Sequence, residues 1–118
     1  VVIHDPVSYK ELPNYIKAAD CVVVPSLAEG FGFTTAEACA MGKPVVASNT
    51  TSLPEVVSGK YVLVKPKSAE AIAQGVEMVY NGKAAKTPLK KFGLKEFGEG
   101  YIKIYKELVK WKKWKSLR

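Results

Sequence analysis

The sequence is poor in the residues on which most metal and redox chemistry depends. His4 is the single histidine, so a multi-histidine metal site is excluded, and any metal chemistry would rest on carboxylates alone. Cys21 in the apolar run "CVVV" and Cys39 in "EACAMG" stand where small buried hydrophobes are expected, not a disulfide framework or a zinc site. No apolar run approaches the ~20 residues that span a bilayer, and "VVIHDP" lacks the basic start, long apolar stretch and small-residue cleavage site of a signal peptide. A cytoplasmic protein is expected. Because the chain opens at Val1, without methionine and inside an apolar run, residues upstream are expected as well.

What is present is an ordinary globular composition, 47% apolar and 25% charged over 118 residues, which allows one domain with a modest core and argues against disorder. The formal charge of +7 is unevenly placed. Residues 1–82 carry six Lys against eight Asp and Glu, whereas residues 83–118 carry twelve Lys and Arg against three Glu. The basicity belongs to the tail.

Short apolar runs alternate with helical patterns. "VVIH", closed by Asp5-Pro6, reads as a strand; "SYKELPNYIKAAD" as a helix capped by Ser8, with Tyr9, Leu12, Tyr15 and Ile16 on one face and Pro13 tolerable only in the first turn or at a kink. "CVVVP" has no alternation, the mark of a parallel strand buried on both faces. A helix over about Thr35 to Met41, ended by Gly42, precedes the strand "KPVVAS". The helical turns "SLPEVVS", the strand "YVLVK" and a helix capped by Ser68 follow. This β-α-β-α-β-α-β-α order predicts an α/β fold with a Rossmann-like parallel sheet and helices on both faces. The whole chain, 1–118, reads as one domain, with 83–118 a basic connection and a closing C-terminal helix whose Phe97, Tyr101, Ile104, Tyr105, Leu108 and Trp111 stripe faces the core.

The loop "PSLAEGFGF" follows a strand, the place where open parallel sheets bind ligands. Gly30 and Gly32 permit tight turning and close approach, and the N–H groups opening the next helix favour an anion such as a diphosphate. Glu37, in the first helical turn, offers two acceptor oxygens to a vicinal diol such as that of a ribose, and Glu29 would accept from a second hydroxylated group. Together they bracket an anion between two hydroxyl-rich groups, as in a nucleotide sugar. An alternative needs no ligand: Thr34-Thr35-Ala36-Glu37 also matches a capping box. Dinucleotide binding is disfavoured, since Gly30-x-Gly32 lacks the third glycine and Asn49-Thr50-Thr51 follows "PVVAS" where an acidic residue would stand.

"ADCVVVPSLAEGFGFTTAEACAMGKPVVASNTTSLPEVV" closely resembles the donor-binding segment of retaining GT-B-fold glycosyltransferases of family 4, also called group 1. The match is ungapped: Pro-Ser, a glutamate before Gly-Phe-Gly, seven residues to a second glutamate, then Ala-x-Ala-x-Gly-x-Pro-Val-Val. "YVLVKPKSAEAIAQGVEMVY" and "YIKIYKEL" continue it. The resemblance implies part of the C-terminal domain of a GT-B fold, with sugar transfer from UDP-, GDP- or ADP-sugars, with retention and without a required metal or other cofactor. It implies that Glu37 binds the ribose hydroxyls and Glu29 the transferred sugar. Gly30, Phe31, Gly32, Phe33 and Thr34 would contact sugar hydroxyls and the diphosphate, with Ser26 shaping the loop.

The same comparison implies absences. The N-terminal acceptor domain, the first two strands of the donor domain and the Arg/Lys pair that neutralises the diphosphate have no counterpart here, and Lys43 is a poor substitute. The isolated chain is therefore expected to be inactive and to need the missing acceptor domain or a partner chain. In the strand order 3-2-1-4-5-6 a gap would remain beside "CVVV", filled by "VVIH", by another chain or by a homo-oligomer. A non-catalytic sugar-nucleotide-binding or assembly subunit is the alternative function; an epimerase would need acid–base residues that are not found.

The tail "KWKKWKSLR" places Trp111 and Trp114 among Lys110, Lys112, Lys113, Lys115 and Arg118. It reads as a solvated helix end, as a peripheral contact with an anionic membrane, or, least supported because no recognition motif accompanies it, as a nucleic-acid contact; no nucleic-acid partner is assigned.

Overall fold

A computed structural model describes residues 1–115, with side chains through Lys110. After an irregular start, α1 (Leu12–Ala18), β1 (Val22–Val24), α2 (Phe33–Ala40), β2 (Val45–Ser48), α3 (Leu53–Val56), β3 (Gly59–Val64), α4 (Ala69–Tyr80), β4 (Ala85–Thr87) and α5 (Leu94–Lys115) follow in turn. The sheet runs β1-β2-β3-β4, and β1, β2 and β3 are parallel, with Val22 opposite Val45 and Val45 opposite Tyr61.

The expected α/β architecture is present, with helices on both faces. Alternation along β2 divides the core: Val45 and Ala47 pack with Ile16 of α1, Ala38 and Cys39 of α2, and Leu53 of α3, while Val46 packs with Val62 and Val64 under Ala71, Ile72 and Val79 of α4. α1 begins at Leu12 with Glu11 as its N-cap and no side-chain cap, so Ser8 does not cap it as expected, and Pro13 therefore sits in the first turn, where its missing N–H costs no helical bond. Ser68 caps α4 by accepting from the Ala71 N–H at 3.1 Å. Gly42, at φ 72°, ends α2 as expected: its N–H donates to Cys39 O (2.9 Å) and the Lys43 N–H to Ala38 O (3.0 Å). At Gly75 the fit is tight in another way, since a Cβ there would stand 2.7 Å from Val64 Cγ1 and 2.8 Å from Val46 Cγ1. That absence of a side chain lets α4 lie close on the sheet.

Three expectations about the sheet are corrected. The sheet is mixed, because Ala85–Thr87 pairs antiparallel to β3 (Gly59 opposite Thr87) where a plain connection was expected. This strand is three exposed residues with a lysine and a following proline, a blunted edge that carries no apolar pattern to read. "VVIH" forms no strand: Val1, Val2 and Ile3 are exposed and His4 meets Tyr15 edge-on, ring centroids 5.6 Å apart. No described strand lies beside it to satisfy its amides, so it does not fill the open edge of β1. β1 itself is not buried on both faces; Val23 is 39% exposed because α4 reaches over β2 and β3 only.

The closing helix also departs from expectation. Phe97, Tyr101, Ile104, Tyr105 and Leu108 are all 48–63% exposed. The core is built by α1 to α3 on one face of the sheet and α4 on the other, and no residue of that stripe belongs to it. The readings attached to the tryptophan-bearing end fall on side chains outside the described residues. Among the described residues no helix is long and apolar enough to cross a membrane.

Candidate functional site

β1 and β2 are parallel neighbours, so the loops leaving their carboxyl ends emerge side by side, and short polar side chains stitch them together. The Ser52 hydroxyl lies within hydrogen-bond reach of two carbonyls of the first loop, Glu29 O at 3.1 Å and Phe31 O at 3.0 Å. The Glu29 N–H donates to Thr51 Oγ1 at 3.0 Å, and Thr50 Oγ1 donates to Leu27 O at 3.2 Å. Ser26 Oγ donates to Glu29 Oε1 at 2.7 Å, which fixes that carboxylate over its own loop. Sequence reasoning identified Glu29 and Ser26 but missed Thr50, Thr51 and Ser52; the cluster "NTTS" was legible only as the absence of an acidic residue.

Of the two loop glycines, only Gly32 is required by the backbone. It stands at φ 94°, and a Cβ there would lie 2.7 Å from Leu53 Cδ2, whereas Gly30 has open space around it. Gly32 is also the N-cap of α2, so Phe33 and Thr34 are its first two residues. The capping-box alternative therefore fails: Thr34 is inside the helix, the N-cap makes no side-chain hydrogen bond, and Glu37 lies beyond the first turn. The first helical bond runs from the Ala36 N–H to Gly32 O at 3.1 Å, so the N–H groups of Phe33, Thr34 and Thr35 precede any acceptor within the helix. Beside them Thr35 Oγ1 is fully buried and has no hydrogen-bond partner.

Glu37 is half-buried and free of any cap, and its Oε1 accepts a hydrogen bond from the Tyr9 hydroxyl at 2.8 Å. A pocket of about 210 Å³ opens beside it, with Leu12, Pro13, Ile16 and Met41 in its walls and Tyr9 at its rim. A larger cavity, about 490 Å³, lies along the aromatic rings instead: Phe31 stands 5.0 Å from Phe33 and 5.0 Å from Phe92, and neither glutamate lines it. Among the described residues no cluster of three or more His, Cys, Asp or Glu is placed to hold a metal.

The model of the glycosyl transferases group 1 family matches residues 1–95, which include this glycine loop and both carboxylates. The chain belongs to that family. Relatives within it include a D-inositol 3-phosphate glycosyltransferase of Paenarthrobacter aurescens, 34% identical over 92% of this chain and 29% of its own length. The O-antigen chain mannosyltransferase B of Escherichia coli is 45% identical over 54% of this chain and 17% of its own. The solved structure of a sucrose-phosphate synthase from Thermosynechococcus elongatus superimposes with a TM-score of 0.61, at 34% identity, over 65% of this chain and 20% of that one. This chain thus spans less than a third of the length of each of these proteins. The structural likeness agrees with the GT-B setting expected from the sequence.

Proposed function

We propose that this chain carries the nucleotide-sugar site of a glycosyltransferase that transfers a sugar from a nucleoside-diphosphate donor to an acceptor with retention at the anomeric carbon. The observation that carries the reading is the pair of carboxylates, Glu29 and Glu37, set on either side of a loop that Ser52 and Thr51 tie to the loop leaving β2. Glu37 would accept the two ribose hydroxyls, and the adjoining pocket suits the flat ring that a ribose carries. The free N–H groups of Phe33, Thr34 and Thr35, with the backbone of Gly30, Phe31 and Gly32, would receive diphosphate oxygens at the positive end of α2. Glu29, held by Ser26, would take hydroxyls of the sugar to be transferred.

Transfer needs more than these residues. In this reading the acceptor surface and the cationic side chains that neutralise the diphosphate come from the rest of a longer chain or from a partner, docked against the open edge of β1. Self-association through that edge is the homo-oligomeric version of the same need. No metal or cofactor is assigned to the reaction, and a cytoplasmic place, with or without contact to a membrane surface, is part of the proposal.

Calorimetric titration with UDP-, GDP- and ADP-sugars tests it. One of the three should bind at millimolar concentration or better, and Glu37→Ala should weaken it by about tenfold or more, the loss of charged hydrogen bonds worth about 1.5–3 kcal/mol. Absence of binding by all three at millimolar concentration sinks the reading.

A further inference from the structure

Tyr9 precedes α1, far along the chain from the glycine loop, and its ring is 78% exposed. Nothing in the packing of the core requires it. Its place is nevertheless defined. Glu11 and Leu12 N–H groups donate to Ser8 O at 2.9 and 3.1 Å, Ser8 Oγ donates to Glu11 Oε2 at 2.7 Å, and Ile16 then anchors α1 in the core. This closed turn delivers the Tyr9 hydroxyl to Glu37 Oε1 across 28 residues of sequence.

We propose that Tyr9 is a positioning residue of the nucleotide site, holding the Glu37 carboxylate by one oxygen and presenting its remaining acceptor sites to a ribose diol. The inference rests on the reading of Glu37 given above. An ionised carboxylate has about four lone-pair sites. Tyr9 uses one of them, which leaves all of Oε2 and half of Oε1 for two hydroxyls. A glutamate on a helix surface otherwise loses rotamer freedom when a ligand orders it, and an existing hydrogen bond removes part of that loss beforehand. The Glu37 carboxylate also pushes the Tyr9 phenol up from its ordinary value, first through the hydrogen bond and then through its charge, so the hydroxyl remains a donor throughout the neutral range.

The test compares wild type, Tyr9→Phe, Glu37→Ala and the double variant in titrations with UDP, GDP and ADP, each beside its 2′,3′-dideoxy analogue. Phenylalanine keeps the pocket wall and removes only the hydrogen bond. Tyr9→Phe should weaken the ribonucleotide by about 3–10-fold, leave the dideoxy analogue unchanged, and add nothing in the Glu37→Ala background. Equal losses on both nucleotides, additive losses in the double variant, or tighter binding by Tyr9→Phe would each overturn the proposal. A wild type sensitive to Glu37→Ala and indifferent to Tyr9→Phe removes this inference and leaves the donor site standing, whereas a wild type that binds no nucleotide removes both. Independently of any ligand, the phenolate absorbance that Tyr9 contributes should appear at lower pH in Glu37→Gln; an unchanged titration means the contact is not made in solution.

Discussion

Replacing Gly32 by alanine examines the joint between fold and site most directly. At φ 94° an L-residue costs about 1–2 kcal/mol, because its Cβ crowds the backbone. The added methyl would also stand 2.7 Å from Leu53 Cδ2, and Leu53, the first residue of α3, is fully buried, so it cannot swing aside into solvent. Overpacking of that kind costs about 1–3 kcal/mol. The sum, about 2–5 kcal/mol, is a large part of the 5–15 kcal/mol that holds a domain of this size together. Urea unfolding followed by circular dichroism should show the midpoint falling by at least about 1 M, for a slope near 1.5 kcal/mol/M. Gly30→Ala is the internal control: with no atom within 4 Å of its Cβ, it should stay within about 0.5 kcal/mol of wild type while still disturbing a ligand that approaches the backbone. A Gly32→Ala protein as stable as wild type, or a Gly30→Ala protein equally damaged, would refute the reasoning.

Three further outcomes are expected. Gly75→Ala should lower the melting temperature, although helix propensity alone favours alanine by about 1 kcal/mol, because Val64 and Val46 leave no room for a methyl; a rise in melting temperature contradicts the close approach of α4. Ser52→Ala removes the hydroxyl that ties Glu29 O and Phe31 O and should cost about 1–2 kcal/mol, with faster amide exchange along residues 29–32; unchanged exchange there would mean that the loop holds itself. Burial pushes the Cys21 thiol up, so alkylation at pH 8 should be slower than for a free thiol and should accelerate as pH climbs past the ordinary thiol range, with Cys39, which is buried, reacting only on unfolding; rapid labelling of Cys21 at neutral pH contradicts this.

The candidate site was legible wherever it depends on residue type at fixed spacing. Glu29, the glycine pair and Glu37 could be singled out because glycine at a strand-to-helix turn and carboxylates around it have few structural reasons to coincide. The division of labour between Gly30 and Gly32 was not legible, since it depends on where Leu53 packs, twenty-one positions away. Thr34 illustrates the same limit: its spacing to Glu37 suits a capping box, but the helix begins at Phe33, two residues before the Thr35 start that box requires, and the motif is never formed.

Local patterns of period, capping chemistry and spacing sufficed for the alternation of three parallel strands with helices, the caps at Ser68 and Gly42 and the family, whereas the start of α1, and with it the place of Pro13, was left open. Which polar groups meet depends on the folded chain. Folding joined the "NTTS" loop to the glycine loop, brought the Tyr9 hydroxyl to Glu37, paired the polar Ala85–Thr87 segment with β3, and left "VVIH" outside the sheet and the stripe of α5 half exposed. Hydrogen bonds between distant segments and the supply of apolar surface are properties of the folded whole, and no local window contains them.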